Sequence, residues 1–399
     1  MTLSPARVPA TGVRRLTRTL YGYAFLDDFV LLYPVYALLF ADTGMPLWQI
    51  SSLFALWSVT GVVLEVPSGA WADAVSRRRL LWIGPLLTAA GFALWVAVPS
   101  YGAFAVGFIL WGAGGALGSG ALEALVYDEL DRLGAADRYA RVMGRARAAR
   151  LLGTVASIGL AGPVFAQGGY AAVGAASFLA CVLTAVTATR FPEHRVRAEG
   201  AGDTWATTLR TGLAEVRGDD RSVRGALLLV PAVAAVWGAL DEYTPLLVRD
   251  IGVAEATVPY LIMLIWAGVT LGSLLAGPAE RLGTSGLAML LAGAALALAV
   301  GAGSRSLAGI ALVSLAFAGF QLAEVLADVR LQHRIDESRR ATLTSVASLG
   351  TELATVAAFG VYALLGTDMA HGTVFAVLAI PYLVTALALA RARAATARP

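Results

Sequence analysis

The stretch Leu64–Leu81 reads LEVPSGAWADAVSRRRLL and contains Gly69, Asp73, Arg77, Arg78 and Arg79. One apolar segment runs into this stretch, and another begins directly after the three arginines. Arginine near the end of a helix resists crossing a bilayer, so a short basic loop between two apolar runs stays on the cytoplasmic side. The stretch therefore predicts a helical hairpin of a polytopic membrane protein.

The composition of the whole chain supports this class. Of the 399 residues, 58% are hydrophobic and only 14% are charged, and the mean hydropathy is +0.72. A soluble domain carries about a quarter charged residues, so this chain cannot cover a water-facing surface. The formal net charge is +3, and every basic residue is an arginine. We assign these charges to loops beside an anionic leaflet and exclude nucleic acid, because no stacking aromatics are interleaved with the arginines.

Twelve stretches are apolar enough to cross a bilayer, which takes ~20 residues each. These predicted spans lie near 19–41, 47–72, 79–98, 101–126, 142–165, 168–190, 223–248, 256–279, 284–302, 306–329, 341–366 and 372–391. The first is too long for a signal-peptide core and is interpreted as a retained span. Among the arginines, only Arg249 and Arg305 fall on one side of the predicted membrane, so we expect both termini in the cytoplasm.

The longest connection, 191–222, divides the chain into an N-terminal six-helix bundle at 1–190 and a C-terminal six-helix bundle at 223–399. Within this linker, Asp203 can cap a helix that ends at Gly218 and carries apolar residues on one face. We interpret this segment as an amphipathic helix in the cytoplasmic interface, the alternative being a semi-ordered tether.

The two halves of the chain resemble each other weakly. Leu26-Asp27-Asp28-Phe29 in span 1 is similar to Leu240-Asp241-Glu242-Tyr243 in span 7. Aligning Pro34 with Pro245 instead changes the register, so two alignments remain open. Internal duplication is typical of transporters that alternate access between two bundles.

Over essentially its whole length, the chain resembles the major facilitator superfamily. The family motif between spans 2 and 3, Gly-x-x-x-Asp-Arg-x-Gly-Arg-Arg/Lys-Arg/Lys, is matched by Gly69, Asp73 and the three arginines, while Ala74 and Ser76 depart from it. The resemblance implies an all-α membrane fold of twelve transmembrane helices in two six-helix bundles. It also implies that Asp73 lies against the start of span 11, near 338–342, and helps to latch the outward-facing state.

A second motif resembles the drug/proton antiporter branch of this family. Gly159-Leu-Ala-Gly162-Pro163 in span 5 is similar to the core of the branch's Gly-Pro-rich motif, although the closing glycines arrive only at Gly168-Gly169. Small residues and a proline there would let helices 5 and 8 approach closely and bend. The branch's membrane-embedded arginine in span 4 is missing, because Leu110 takes that position.

Charged residues inside spans are costly and are therefore candidates for function. Asp27 and Asp28 lie near the middle of span 1, and Tyr23 lies one helical turn before Asp27 on the same face. A buried carboxylate binds a proton more readily, so a proton and a cationic substrate would compete for such a site. The alternative is a structural ion pair with a loop arginine.

The second half offers three further intramembrane acids. Asp241 and Glu242 in span 7 lie nearer the outside than Asp27 and Asp28, and their alternative role is pairing with Arg249. Glu352 in span 11 is the deepest acid of this half, and the sequence places no arginine near it. We assign these acids, like Asp27 and Asp28, to proton coupling or substrate binding.

Two other groups of residues have structural alternatives. Glu123 and Arg150 lie toward the cytoplasmic ends of spans 4 and 5, so we expect a salt bridge between them, or alternatively a gate. Four tryptophans at mid-span, where tryptophan is unusual, predict an aromatic-lined cavity for bulky or cationic ligands, or else ordinary helix packing. They are Trp57, Trp111, Trp237 and Trp266.

The sequence lacks a nucleotide-phosphate loop, a metal-ligand spacing and a nucleophile–base pair, and its single cysteine, Cys181, excludes an internal disulfide. We therefore expect no enzyme, no cofactor and no metal site. The predicted protein is a monomeric transporter of a bacterial-type inner membrane whose partners are lipids, protons and a small-molecule substrate. We expect proton-coupled export of small hydrophobic or cationic compounds. Proton-coupled uptake of a metabolite or sugar is one alternative, and a membrane sensor or integral-membrane enzyme is another.

Overall fold

The structure, a computed structural model, describes residues 10–74, 76–194, 221–335 and 340–396. Every regular element in these ranges is helical. The sixteen α-helices are α1 (Ala10–Asp27), α2 (Tyr36–Asp42), α3 (Leu47–Ala74), α4 (Arg77–Ala97), α5 (Tyr101–Gly118), α6 (Ala121–Arg132), α7 (Tyr139–Ala188), α8 (Arg221–Asp241), α9 (Thr244–Arg249), α10 (Val258–Leu274), α11 (Ala276–Ala279), α12 (Thr284–Gly303), α13 (Leu307–Gln332), α14 (Arg340–Leu365), α15 (His371–Leu378) and α16 (Ile380–Thr396).

Ten helical segments in these ranges are long and apolar enough to cross a membrane. One of them contains predicted spans 5 and 6, because α7 turns at Gly168 and Gly169, and Gly169 takes a φ of 56° that suits a residue without Cβ. The first predicted span is not among the ten, since its helix is interrupted between α1 and α2. These two features reconcile the ten segments with the twelve predicted spans, and the predicted fold class is confirmed.

The chain forms two compact units. The first consists of Met1–Tyr36 and Leu56–Ala201, and the second of Ala37–Ala55 and Gly202–Pro399. Segment 37–55, which contains α2 and the start of α3, therefore groups with the C-terminal half of the chain, a feature that the sequence pattern does not indicate. The predicted amphipathic helix of the linker lies outside the described residues.

Three of the predicted spans are broken in the middle. Span 1 unwinds between Asp27 and Tyr36, and Pro34 disfavours helical geometry at the residue before it. Span 4 is broken between α5 and α6, where Gly120 has a φ of 70°. Span 7 is broken between Asp241 and Thr244, so α8 ends on an acid just as α1 does. Two of the three breaks therefore directly follow predicted functional carboxyl groups.

Close helix approaches shape the interior of the first unit. α1 and α4 both pack against α7, and α4 also packs against α5. A Cβ on Gly84 of α4 would lie 2.7 Å from the carbonyl oxygen of Gly114 on α5, so only glycine permits this approach. A Cβ on Gly153 of α7 would collide with the carbonyl oxygen of Phe25 on α1. This second approach brings α7 against the turn of α1 that ends in Asp27.

Candidate functional site

The break in span 1 is held open by two serines of α7. The Leu32 N–H donates to Ser177 Oγ at 3.0 Å, and Ser157 Oγ donates to the Asp28 carbonyl oxygen at 3.5 Å. Both serines are fully buried. Unpaired backbone groups are costly in a membrane, so these side chains replace hydrogen bonds that a continuous helix would have made. The unwound segment is thus a stable feature that exposes Asp27 and Asp28 at the end of α1.

Arg150 of α7 binds both aspartates. Its Nη2 lies 3.0 Å from Asp27 Oδ2, and its Nη1 lies 3.8 Å from Asp28 Oδ1. The first contact is also a hydrogen bond, whereas the second is only an ion pair. The expected partnership of Arg150 with Glu123 is wrong, because the guanidinium pairs with Asp27 and Asp28 at the end of α1, which the close approach at Gly153 brings within reach.

These charges line a cavity of about 400 Å³ inside the first unit. Glu123 lines the same cavity, so three carboxyl groups face one guanidinium. Thr88, Cys181 and Thr184 also line the cavity. The side formed by α5 carries few side chains, because its lining residues there include several glycines. If all four groups are ionised, the cavity carries an excess of negative charge, which favours a cation or a proton.

Aromatic rings complete this cavity. Tyr23, Tyr33 and Trp111 line it, and the rings of Tyr33 and Trp111 are stacked with centroids 5.5 Å apart. The ring of Trp57 is also stacked on that of Trp111, with the two centroids 4.9 Å apart. Tyr23 is 3% exposed, and its hydroxyl donates to the Leu81 carbonyl oxygen at 3.4 Å. Two of the four predicted tryptophans therefore lie together, and one of them reaches the cavity.

The remaining two tryptophans belong to the second unit. The Trp237 Nε1–H donates to Glu324 Oε2 at 2.9 Å, and its ring meets Phe317 edge to face. This indole is therefore tied to a carboxylate of α13. Trp266 is 37% exposed on α10. For these two side chains the aromatic-lined cavity stays a prediction.

The acids of span 7 lie at a break of a different character. Asp241 ends α8, and its carbonyl oxygen accepts the Thr244 hydroxyl at 2.6 Å. The Oδ1 atom of Asp241 is buried and has no hydrogen-bond partner within the described ranges. Pairing of these acids with Arg249 is wrong, because Arg249 Nη1 binds Asp42 Oδ1 at 2.7 Å. In the part of the chain that the structure describes, no ion pair involves Asp241 or Glu242.

Glu352 lies on α14, the helix that packs against α8. One turn further on, the Thr355 hydroxyl donates to the Ala235 carbonyl oxygen at 3.4 Å, which fixes the face of α14 toward α8. Glu352 is half-buried and engaged in contacts of its own. Glu352 belongs to the second unit and is not among the residues that line the first-unit cavity.

The arginine motif forms a network of ion pairs and hydrogen bonds within the first unit. Ser76, which replaces a glycine of the family motif, caps α4 by accepting the Arg79 N–H at 3.2 Å. Arg77 Nη1 binds Asp128 Oδ2 at 2.5 Å, and Arg78 Nη1 donates to the Phe191 carbonyl oxygen at 3.4 Å. The motif therefore ties the start of α4 to α6 and to the end of α7. Gly69 and Asp73 fall in a stretch whose side chains lie outside the described residues, and the side chains of the predicted latch partner near 338–342 lie outside them as well.

The span 5 motif lies within the first arm of α7. Gly162 is buried, and Pro163 is an exposed residue inside the helix. Sequence reasoning missed Tyr33, Ser157 and Ser177 at the site. The two serines carried a usable signal, since each is a polar residue inside a predicted span and must find a hydrogen-bond partner there.

Broken helices around an internal charged cavity define a polytopic membrane protein of the transporter class. The family model of the Major Facilitator Superfamily matches residues 20–359. The chain belongs to the major facilitator superfamily. Its fold and its relatives indicate a multi-pass transporter rather than an enzyme.

Solved structures agree with this assignment. A variant of the nucleoside transporter NupG has 14% sequence identity and a TM-score of 0.78, and the match covers 94% of this chain and 99% of that one. A bacterial homologue of the lysosomal transporter Spinster has 15% identity and a TM-score of 0.68, with 97% of both chains covered. A bacterial homologue of the iron transporter ferroportin has 17% identity and a TM-score of 0.64, covering 97% and 98%. These likenesses concern the fold. No curated protein matches the sequence.

Proposed function

We propose that this protein is a secondary transporter of a bacterial-type inner membrane that exports small cationic or partly apolar compounds in exchange for protons by alternating access. Both termini lie in the cytoplasm in this proposal, and the protein works as a monomer. The observation that carries the proposal is the charge imbalance of the first-unit cavity, where Asp27, Asp28 and Glu123 face Arg150 alone.

The imbalance gives the cavity its exchange chemistry. Arg150 neutralises one aspartate, and the shorter contact to Asp27 makes that residue the structural partner. Asp28 then carries charge that the guanidinium compensates only in part. An uncompensated charge held away from water is costly, so a proton or a substrate cation is expected to balance it. Because both balance the same charge, binding of one favours release of the other, which is the requirement for antiport.

The aromatic side of the cavity supports a cation as the exported compound. The faces of Tyr33 and Trp111 carry negative partial charge and attract organic cations. A volume of about 400 Å³ lies within the range of about 300–1,000 Å³ that small-molecule sites occupy. The substrate class that suits these walls is a compact organic cation with an apolar or aromatic body.

The acids of span 7 are proposed as a second coupling site. A buried carboxylate oxygen without a hydrogen-bond donor is a poor place for a full negative charge. The last carbonyl groups of α8 also point toward this break, and a helix C-terminus disfavours added negative charge. We therefore propose that a proton occupies the pair formed by Asp241 and Glu242 during part of the cycle. We also propose that Glu352, on α14, exchanges protons with this pair.

Proton-coupled uptake of a polar metabolite is the second candidate function. It is favoured by the Arg150 ion pair beside stacked rings, since a guanidinium and an aromatic face also suit a ring-bearing polar compound. A nucleoside transporter and a POT family transporter in complex with a conjugated peptide are among the proteins of similar fold. In this case the substrate would move with the proton, and not against it.

Everted membrane vesicles distinguish proton-coupled export from proton-coupled uptake. In vesicles acidified inside, an exported cation such as tetraphenylphosphonium should accumulate and dissipate the pH gradient when it is added. The Asp28→Asn variant should lose this response. A matched control is Asp131→Asn, which removes an exposed carboxyl of α6 outside the cavity and should behave as the unmodified protein. Substrate movement out of the vesicles together with protons would instead establish uptake and contradict the export proposal.

A further inference from the structure

A second cavity in the first unit lies apart from the transport site. Its volume is about 600 Å³, and it is lined by Arg14, Arg15, Arg18, Thr19, Gly22, Thr187 and Arg190. We infer that this cavity binds the phosphate headgroup of an anionic phospholipid. The inference is independent of the proposed transport substrate, because the two cavities have no lining residue in common.

The arginines converge because of helical spacing. Arg14, Arg18 and Gly22 follow one another at intervals of one turn, so they lie on one face of α1. Arg190 comes just after the end of α7, three residues beyond Thr187. The end of α7 and the start of α1 thus enclose a short groove with guanidinium groups above it. Gly22 and Thr187 lie close together at the base of the groove, where a Cβ on Gly22 would lie 3.8 Å from Thr187 Cγ2.

The charge of this groove is not balanced by a carboxylate that the structure describes. None of the four arginines takes part in the ion pairs found among residues 10–74, 76–194, 221–335 and 340–396. All four arginines are exposed, and like charges gathered at one groove repel each other, so an anion bound between them would be stabilised. Guanidinium groups match phosphate oxygens with paired hydrogen bonds, which makes phosphate the anion of choice.

The surface below the groove indicates a lipid and not a free phosphate. Leu179, Leu183 and Val186 are 55%, 43% and 47% exposed. Their spacing places these three residues on one face of α7, in line with Arg190 just beyond the end of the helix. An acyl chain laid along this apolar stripe brings its headgroup to the arginines. Basic pockets between spans at the predicted cytoplasmic side are typical sites for anionic headgroups.

Lipid binding to the purified full-length protein tests the inference. Phosphatidylglycerol is titrated against the protein in detergent, and bound lipid is counted by native mass spectrometry. Phosphatidylcholine and inorganic phosphate are titrated in parallel. We expect phosphatidylglycerol to bind selectively, and the triple variant Arg14→Gln/Arg18→Gln/Arg190→Gln to bind it roughly 100-fold more weakly, at about fivefold for each arginine.

A matched triple variant separates a site from general surface charge. Arg141→Gln/Arg145→Gln/Arg147→Gln removes three exposed arginines at the start of α7 and should leave the affinity within about twofold of the unmodified protein. Should the first triple variant fold poorly, Arg190→Gln alone should still weaken binding by about fivefold. The inference is overturned if both triple variants lose binding equally or if Arg190→Gln changes nothing. It is also overturned if phosphatidylcholine binds as well, or if inorganic phosphate displaces the lipid.

Discussion

The breaks in spans 1 and 7 occupy corresponding places in the two halves of the chain, yet they treat their acids differently. At the first break, Arg150 binds Asp27 and Asp28, and buried serines satisfy the unwound backbone. At the second break, Asp241 keeps an unpartnered buried oxygen, and Arg249 binds Asp42 instead. One break is an ion-pair site, and the other is a carboxyl site without a described cation.

This difference assigns different chemistry to similar sequences. An acid that shares a guanidinium can exchange a proton for another cation while the arginine keeps most of the charge balanced. An acid without a cation has a proton as its simplest partner, because a buried charge must otherwise be compensated. Four predictions test whether the two breaks differ in this way, beginning with the largest expected effect.

Replacing Gly153 with alanine should disturb the first break most. The added Cβ would collide with the Phe25 carbonyl oxygen and push α1 away from α7, which separates Arg150 from Asp27. We expect loss of transport and a loss of about 1–3 kcal/mol in the free energy of unfolding. The control is Gly144→Ala in the same helix, where a Cβ meets nothing within 4 Å. Equal stability and transport in the two variants would show that the close approach does not position the ion pair.

Removing the Arg150 guanidinium should leave Asp27 and Asp28 without their cationic partner. Arg150→Gln is expected to lower the free energy of unfolding by about 1–3 kcal/mol, because the hydrogen bond to Asp27 is lost. Asp27→Asn in the same background should restore part of this loss, with a coupling energy of about 0.5–3 kcal/mol in a double-mutant cycle. Thermal unfolding in detergent provides the measurement, with Arg147→Gln as the exposed control. Additive effects would mean that the 3.0 Å contact is energetically silent.

The second break should tolerate loss of its charge. Asp241→Asn leaves no arginine stranded, so the free energy of unfolding should change by no more than about 0.5 kcal/mol, less than for Asp27→Asn. Proton-driven transport should nevertheless fall, while downhill exchange of substrate continues. Counterflow and gradient-driven uptake into proteoliposomes distinguish the two. If Asp241→Asn destabilised the protein as strongly as Arg150→Gln, the two breaks would not differ in kind.

Of the four changes, loss of the ion pair between Arg249 and Asp42 is expected to affect transport least. Both side chains are about a third exposed, so the pair should contribute about 0.2–1 kcal/mol. Arg249→Gln should therefore cause a slight loss of thermal stability at low salt that disappears at high salt. A loss that persists at high salt would contradict this account and assign the pair a larger structural role.

The sequence predicts the spans well and the site only in part. Hydropathy locates spans because a bilayer demands a long apolar stretch, and the cost of intramembrane charge singles out Asp27, Asp28 and Asp241. The resemblance of Asp27-Asp28 to Asp241-Glu242 agrees with the structure, since a helix ends at the first acid of each pair. Aligning Pro34 with Pro245 does not match the helix ends, because the break in span 1 is longer than the break in span 7.

Partners across helices are not predictable from spacing along the chain. Arg150 and Glu123 lie at similar depth in neighbouring spans, which suggested their pairing. The approach of α1 to α7 at Gly153 gives Arg150 a different partner, and such an approach depends on tertiary packing. The serines that stabilise the break are likewise understandable only once the backbone donor at Leu32 is seen.

The central claim is that the charge of Asp28 is balanced by either a proton or a substrate cation. Proton release on binding of tetraphenylphosphonium, which carries no proton itself, tests this directly in weakly buffered detergent solution with a pH-sensitive dye. The unmodified protein should release a proton as the cation binds, and Asp28→Asn should release none while remaining folded. Cation binding without proton release, or equal release by Asp28→Asn, would contradict the account.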